Sequence, residues 1–128
     1  MKLLSEEELH QLAMTTVGKK LEEEGFEFLA VNSEPKKDPQ FVCLKNKSLH
    51  FVVVRAVSYP ENPVEYDTEL MEKMRAHAAN FDAQTYYAGV GLASAENYEE
   101  PLAVGAPYAI NYQGLQAVSY THLTLPTN

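Results

Sequence analysis

The chain has 128 residues, a formal net charge of −8 and 45% apolar residues, which is the size and composition of one globular domain with a real core. The acidic balance argues against non-specific nucleic-acid binding, which depends on neutralising phosphates, and against attachment to an anionic membrane surface. Cys43 is the only cysteine, so an intrachain disulfide is excluded, cysteine alone cannot build a zinc or iron–sulfur site, and a reducing cytoplasm is the expected compartment.

In chain order, the first element is a helix. Ser5 followed by Glu8 forms a capping box, in which each side chain satisfies the other's free backbone donor. Leu9, Leu12, Ala13, Val17 and Leu21 recur at helical spacing as one apolar stripe, and Gly25 is the expected stop. Met1–Leu4 runs straight into Ser5-Glu6-Glu7-Glu8, which is not a signal-peptide pattern, and no apolar run approaches the ~18 residues that span a bilayer.

Strands are expected at Phe26–Val31, Gln40–Lys45 and Leu49–Val57, with a polar loop from Asn32 to Pro39 and a turn at Asn46-Lys47-Ser48. The near-continuous run Phe51–Val54 predicts a central strand covered on both faces. Ser58–Tyr66, with two prolines, reads as a loop. A second helix starts after Asp67, a good N-cap, and runs to about Asn80, with Leu70, Met71, Met74, Ala78 and Phe81 as its buried face. Thr85–Leu92 is a fourth strand, in which Gly89 and Gly91 predict the close approach of another backbone, or a bulge. Ala93–Ala106 reads as irregular chain or a short helix, and Tyr108–Tyr112 as an edge strand. The expected fold class is α/β (α+β), a single domain with an αβββαβ core and a mixed central sheet flanked by two helices.

This order, the capped helix ending in Leu21-Glu22-Glu23-Glu24-Gly25, the hairpin Gln40–Val57 and the alanine-rich second helix leading into Tyr86–Gly91 resemble the PD-(D/E)XK, or restriction-endonuclease-like, superfamily over roughly Leu4–Ala93. The resemblance implies a metal-binding aspartate on the first hairpin arm, a glutamate on the second, a lysine two residues later and often an acid on the first helix. Those places fall on Gln40, Val53, Arg55 and Met14. An amide, a valine and a methionine cannot replace carboxylates around magnesium, and arginine is a poor proton acceptor because it stays charged. The expectation is a domain without nuclease chemistry and without cofactor, in which Asp38 is a lone carboxylate near the vestigial site. The stretch to Gln116 also resembles small bacterial proteins that carry the name of the NADH-oxidising, iron–sulfur component of the sodium-translocating NADH:quinone reductase. It lacks the four cysteines and the nucleotide-binding glycine loop that electron transfer in that component implies.

Val118–Asn128 resembles the translation of a transposon-end sequencing adapter. The domain is therefore assigned to residues 1–117, with room for a native C-terminal element beyond it.

Other candidates are weaker. Lys36, Lys37, Lys45 and Lys47 form a candidate basic patch around the hairpin, against the plainer reading of a solubilised hairpin end. His10, His50 and His77 show no metal-ligand spacing, and Cys43 alternates with Phe41 as a core residue does. Tyr59, Tyr66, Tyr86, Tyr87, Tyr108 and Tyr112 line a binding surface or occupy half-buried sheet positions. Four functions stay open. They are a non-catalytic interaction or accessory module with an unidentified protein partner or a second copy, an acidic secretion-chaperone-like binding protein, a divalent-metal-dependent nuclease, and an accessory protein of the quinone reductase. A sheet with strand four parallel to strand three fits the first, and a wholly antiparallel sheet fits the second.

Overall fold

The computed structural model describes residues 2–118, which form two helices and a mixed six-stranded sheet. Helix α1 (Glu6–Glu23) carries the complete Ser5–Glu8 capping box and ends before Gly25, whose φ of +89° is a conformation that glycine adopts without penalty. Strand β1 (Glu27–Val31) pairs antiparallel with β2 (Phe41–Lys45), and β2 with β3 (Ser48–Ser58). Asn46 and Lys47, both at positive φ, close that hairpin between the paired Lys45 and Ser48, the backbone that a two-residue turn needs to match strand twist.

Helix α2 (Thr68–Ala79), capped by the Asp67 carboxylate on the Leu70 N–H, carries the chain over the sheet to β4 (Ala83–Ser94), which runs parallel to β3 through ten paired residues, Leu49↔Ala83 to Ser58↔Leu92. Strands β5 (Tyr108–Tyr112) and β6 (Gln116–Val118) lie end to end along the other side of β4. Their registers, Tyr112↔Val90 and Gln116↔Tyr87, differ by one residue, so together they act as one strand broken at Gln113–Leu115. Val118 pairs with Thr85 in β6, so the tail assigned from sequence begins inside this strand. The remainder of that tail, residues 119–128, lies outside the described residues.

The helices cover opposite faces. Val52 and Val54 point to α1, where Ala13, Met14, Val17 and Leu21 meet Phe41, Cys43, Ala88 and Val90. Val53 points the other way, onto Met71 and Tyr87. The buried line of α1 is rotated from the expected stripe. His10 and Met14 are buried, whereas Leu9 and Leu12 are only partly covered, because the sheet sits under the 10/14/17/21 edge of the helix. Phe81, expected under α2, is 53% exposed, because the helix ends at Ala79. Its ring stays on the surface against Phe51 and His77.

Residues 95–107 are irregular, and they pin the chain start. The Leu4 N–H donates to the Leu102 carbonyl and the Val104 N–H to the Lys2 carbonyl.

The glycines of β4 have the close neighbour that the sequence predicts. Pro63, in the loop after β3, crosses directly over the strand. A Cβ on Gly89 would stand 1.9 Å from the Pro63 carbonyl oxygen and 2.8 Å from the Tyr87 ring. Gly89→Ala is therefore expected to destabilise the fold by about 1–3 kcal/mol through overpacking in urea unfolding. A cost within error would mean that the loop does not rest on β4.

Candidate functional site

The polypeptide just before β2 does not enter the ladder as strand. Opposite Val53 and Arg55 of β3, the sheet is completed by side chains. Gln40, fully buried, donates its backbone N–H to the Val52 carbonyl, and its side-chain Oε1 accepts the Val54 N–H at 2.7 Å. Its Nε2 donates to Asp38 Oδ1 at 2.9 Å. Arg55 then grips the same carboxylate with both arms, Nη1 to Oδ1 and Nη2 to Oδ2, each at 2.7 Å, while Nη1 also donates to the Val54 carbonyl. This is a two-pronged, charge-assisted pair, stronger and more directional than a single contact. It is also well shielded, with 9% of the Asp38 side chain and 20% of the Arg55 side chain exposed.

Burial pushes the Asp38 carboxyl up, but the hydrogen bonds from Arg55 and Gln40 and the guanidinium charge outweigh it and hold the group below the usual carboxylate value. On the α1 side, His10 and Arg55 line one small cavity of about 70 Å³. Burial, and then the Arg55 charge, lower the His10 pKa against the opposing pull of Asp38 and Glu6. His10 is thereby held neutral, and its Nε2 meets no hydrogen-bond partner among the described residues.

Of the four positions drawn from the endonuclease pattern, two meet and two do not. Gln40 and Arg55 converge on Asp38. Met14 is core on the α1 face, and Val53 is core on the α2 face, so the sheet separates them. Asp38 is not a lone carboxylate but the hub of the network. The visible signal for it is its place opposite Arg55 once Phe41 is registered with Val52.

The donor set does not fit magnesium, which takes several oxygen ligands in near-octahedral order. Asp38, the carboxylate at the centre of the network, is already bound on both oxygens by a guanidinium. Among the described residues, no three of His, Cys, Asp and Glu come together as a metal-ion set.

The four lysines do not make one patch. Lys36 and Lys37 precede β2 and Lys45 and Lys47 lie at and beyond its end, so the strand stands between the two pairs. Lys36 lies 3.6 Å from Glu6, and Lys45 sits over the Phe26 ring at 4.8 Å. Cys43 is fully buried, and burial pushes its thiol up to about 11, the signature of a packed, unreactive sulfur. Among the tyrosines, Tyr66 meets Tyr87 and Tyr59 meets Tyr98 as tilted ring pairs, while Tyr112 packs into the α1-side core, where burial raises it to about 12.

In comparison with known proteins, the model of a family described as a domain of unknown function (DUF8840) matches residues 7–118. No curated protein and no solved structure matches the chain.

Arg55→Met leaves Asp38 shielded without its cation and is expected to cost about 2–4 kcal/mol in urea unfolding. Because the folded Asp38 value lies below its unfolded one, the stability this pair supplies is complete above about pH 4 and is lost as the pH falls through the folded value. The acid limb of the stability curve should therefore flatten in Asp38→Asn. His10 behaves as a buried neutral base whose folded value is lowered, so its contribution is complete above about pH 6.5 and declines below it. His10→Leu removes the unpartnered nitrogen. It should reduce the stability slope between about pH 7 and 5 and raise stability at pH 7 by about 1 kcal/mol; an unchanged slope would show that His10 titrates normally.

Proposed function

We propose that this chain, which belongs to the DUF8840 family of domains of unknown function, is a non-catalytic interaction module built on a degenerate restriction-endonuclease-like core. The observation that carries this reading is the Asp38–Arg55 pair. A metal-dependent nuclease needs free carboxylate oxygens at the hairpin to hold a divalent cation against the scissile phosphate. On the endonuclease alignment the lysine position holds a guanidinium of fixed charge, and it uses both oxygens of Asp38. What chemistry would require to be open and hydrated is closed, and it serves instead to finish the sheet where β2 falls short of β3.

The parallel β3–β4 pair supports this reading over a secretion-chaperone-like domain, for which an antiparallel sheet is expected throughout. A role in electron transfer finds no support in a single, fully buried cysteine. The acidic chain favours a protein partner over nucleic acid.

Incubation of the purified protein with single- and double-stranded DNA and RNA in Mg²⁺ or Mn²⁺ is expected to give no cleavage above a blank. Metal-dependent cleavage that disappears in Asp38→Ala would sink the reading, because it would make Asp38 a ligand rather than a counter-ion.

A further inference from the structure

A second feature lies on the α2 side of the same β3 end. A cavity of about 410 Å³ opens between the last residues of β3, the loop after it and the first turn of α2, with Glu61, Glu65, Tyr66, Asp67, Leu70 and Tyr87 on its walls beside Arg55. The Tyr66 and Tyr87 rings stand 5.1 Å apart at 49°. The Tyr87 ring lies against Gly89, the residue paired with Arg55, and lines the cavity. Tyr87 is 4% exposed as a residue and lines the cleft, and no side-chain hydrogen bond among the described residues uses its hydroxyl. The hydroxyl is not among the sealed, unpartnered atoms, so on this cleft wall it is a polar group open to an incoming donor.

The charge of the cleft has a definite sign. Three carboxylates, Glu61, Glu65 and Asp67, are set against one guanidinium, and Asp38 already neutralises that guanidinium from outside the cleft. Aromatic faces, an aliphatic wall at Leu70, a waiting acceptor and excess negative charge together suit a compact cation on an apolar stem.

We propose that this cleft receives a lysine or arginine side chain of a protein partner, its stem along Tyr66 and Leu70, its head near Glu61 and Glu65 and within reach of the Tyr87 hydroxyl. The proposal rests on the reading of the chain as an interaction module and names the partner's chemistry. N-acetyl-lysine methylamide and its arginine counterpart, titrated into the ¹⁵N-labelled protein, test the two cations, and the norleucine counterpart supplies the stem without charge.

Saturable amide shifts are expected for at least one cation, concentrated at residues 65–70 and 87–89, and none for norleucine. Glu61→Gln/Glu65→Gln should weaken binding about fivefold, and Tyr87→Phe about threefold. Absence of saturable shifts for both cations would overturn the proposal. So would an equal response to norleucine, shifts spread over all surface carboxylates and indifferent to the double substitution, or a stronger response to inorganic phosphate. Cleavage of nucleic acid by the same sample would remove the non-catalytic reading while leaving the cation shifts to be judged alone; silence toward both cations without cleavage removes only the cleft.

Discussion

Everything in this molecule is arranged around the sealing of β3 on both faces. Val52 and Val54 go under α1 while Val53 goes under α2, so three consecutive residues anchor two separate cores. Such a strand cannot slip by one residue without turning each valine toward the wrong layer, and this constraint sets the register of β2 on one side and β4 on the other. The parallel pairing of β4 then follows from α2, which must cross the sheet to cover the second face before the chain can return.

The point at which β3 outruns β2 is where polar chemistry enters. Backbone groups there would be left without partners in a nearly dry setting. Gln40 serves the Val54 amide, Asp38 receives Gln40 and Arg55, and Arg55 returns to the Val54 carbonyl, a closed circuit in which each member satisfies another. A closed circuit of this kind is costly to interrupt at any one member, since removing a partner strands a buried charge. The unpartnered His10 nitrogen beside it shows that satisfaction stops at the α1 boundary.

Much of the architecture is readable in the residues, and for identifiable reasons. The Ser5–Glu8 box, Asp67 and Gly25 are local devices whose chemistry acts within a few residues, and each sits where expected, while the turn expected over Asn46-Lys47-Ser48 is one residue shorter because Ser48 already pairs with Lys45. The glycine pair in β4 signals a crossing chain, and Pro63 is that chain. What is not readable depends on contacts distant in sequence. The rotation of α1 that buries His10 and Met14 is imposed by the sheet beneath it, and Phe81 looks like a helix residue until the helix ends short of it. The lysines are close in sequence but lie at opposite ends of a strand. Asp38 is separated from Arg55 by a whole hairpin arm, so its role as a counter-ion emerges only from register.

The broken strand along β4 bears on how this chain behaves at high concentration. On that margin, β5 and β6 offer five and three residues with a one-residue step between them, and at the opposite margin β1 is itself out of step between Phe28 and Ala30. An incoming extended segment can therefore match donors and acceptors over only a short distance before losing phase on either flank. Interruptions of this sort deny the sheet a long flat template, so fibril-like growth is discouraged even though Leu29, Val31 and Ile110 face water.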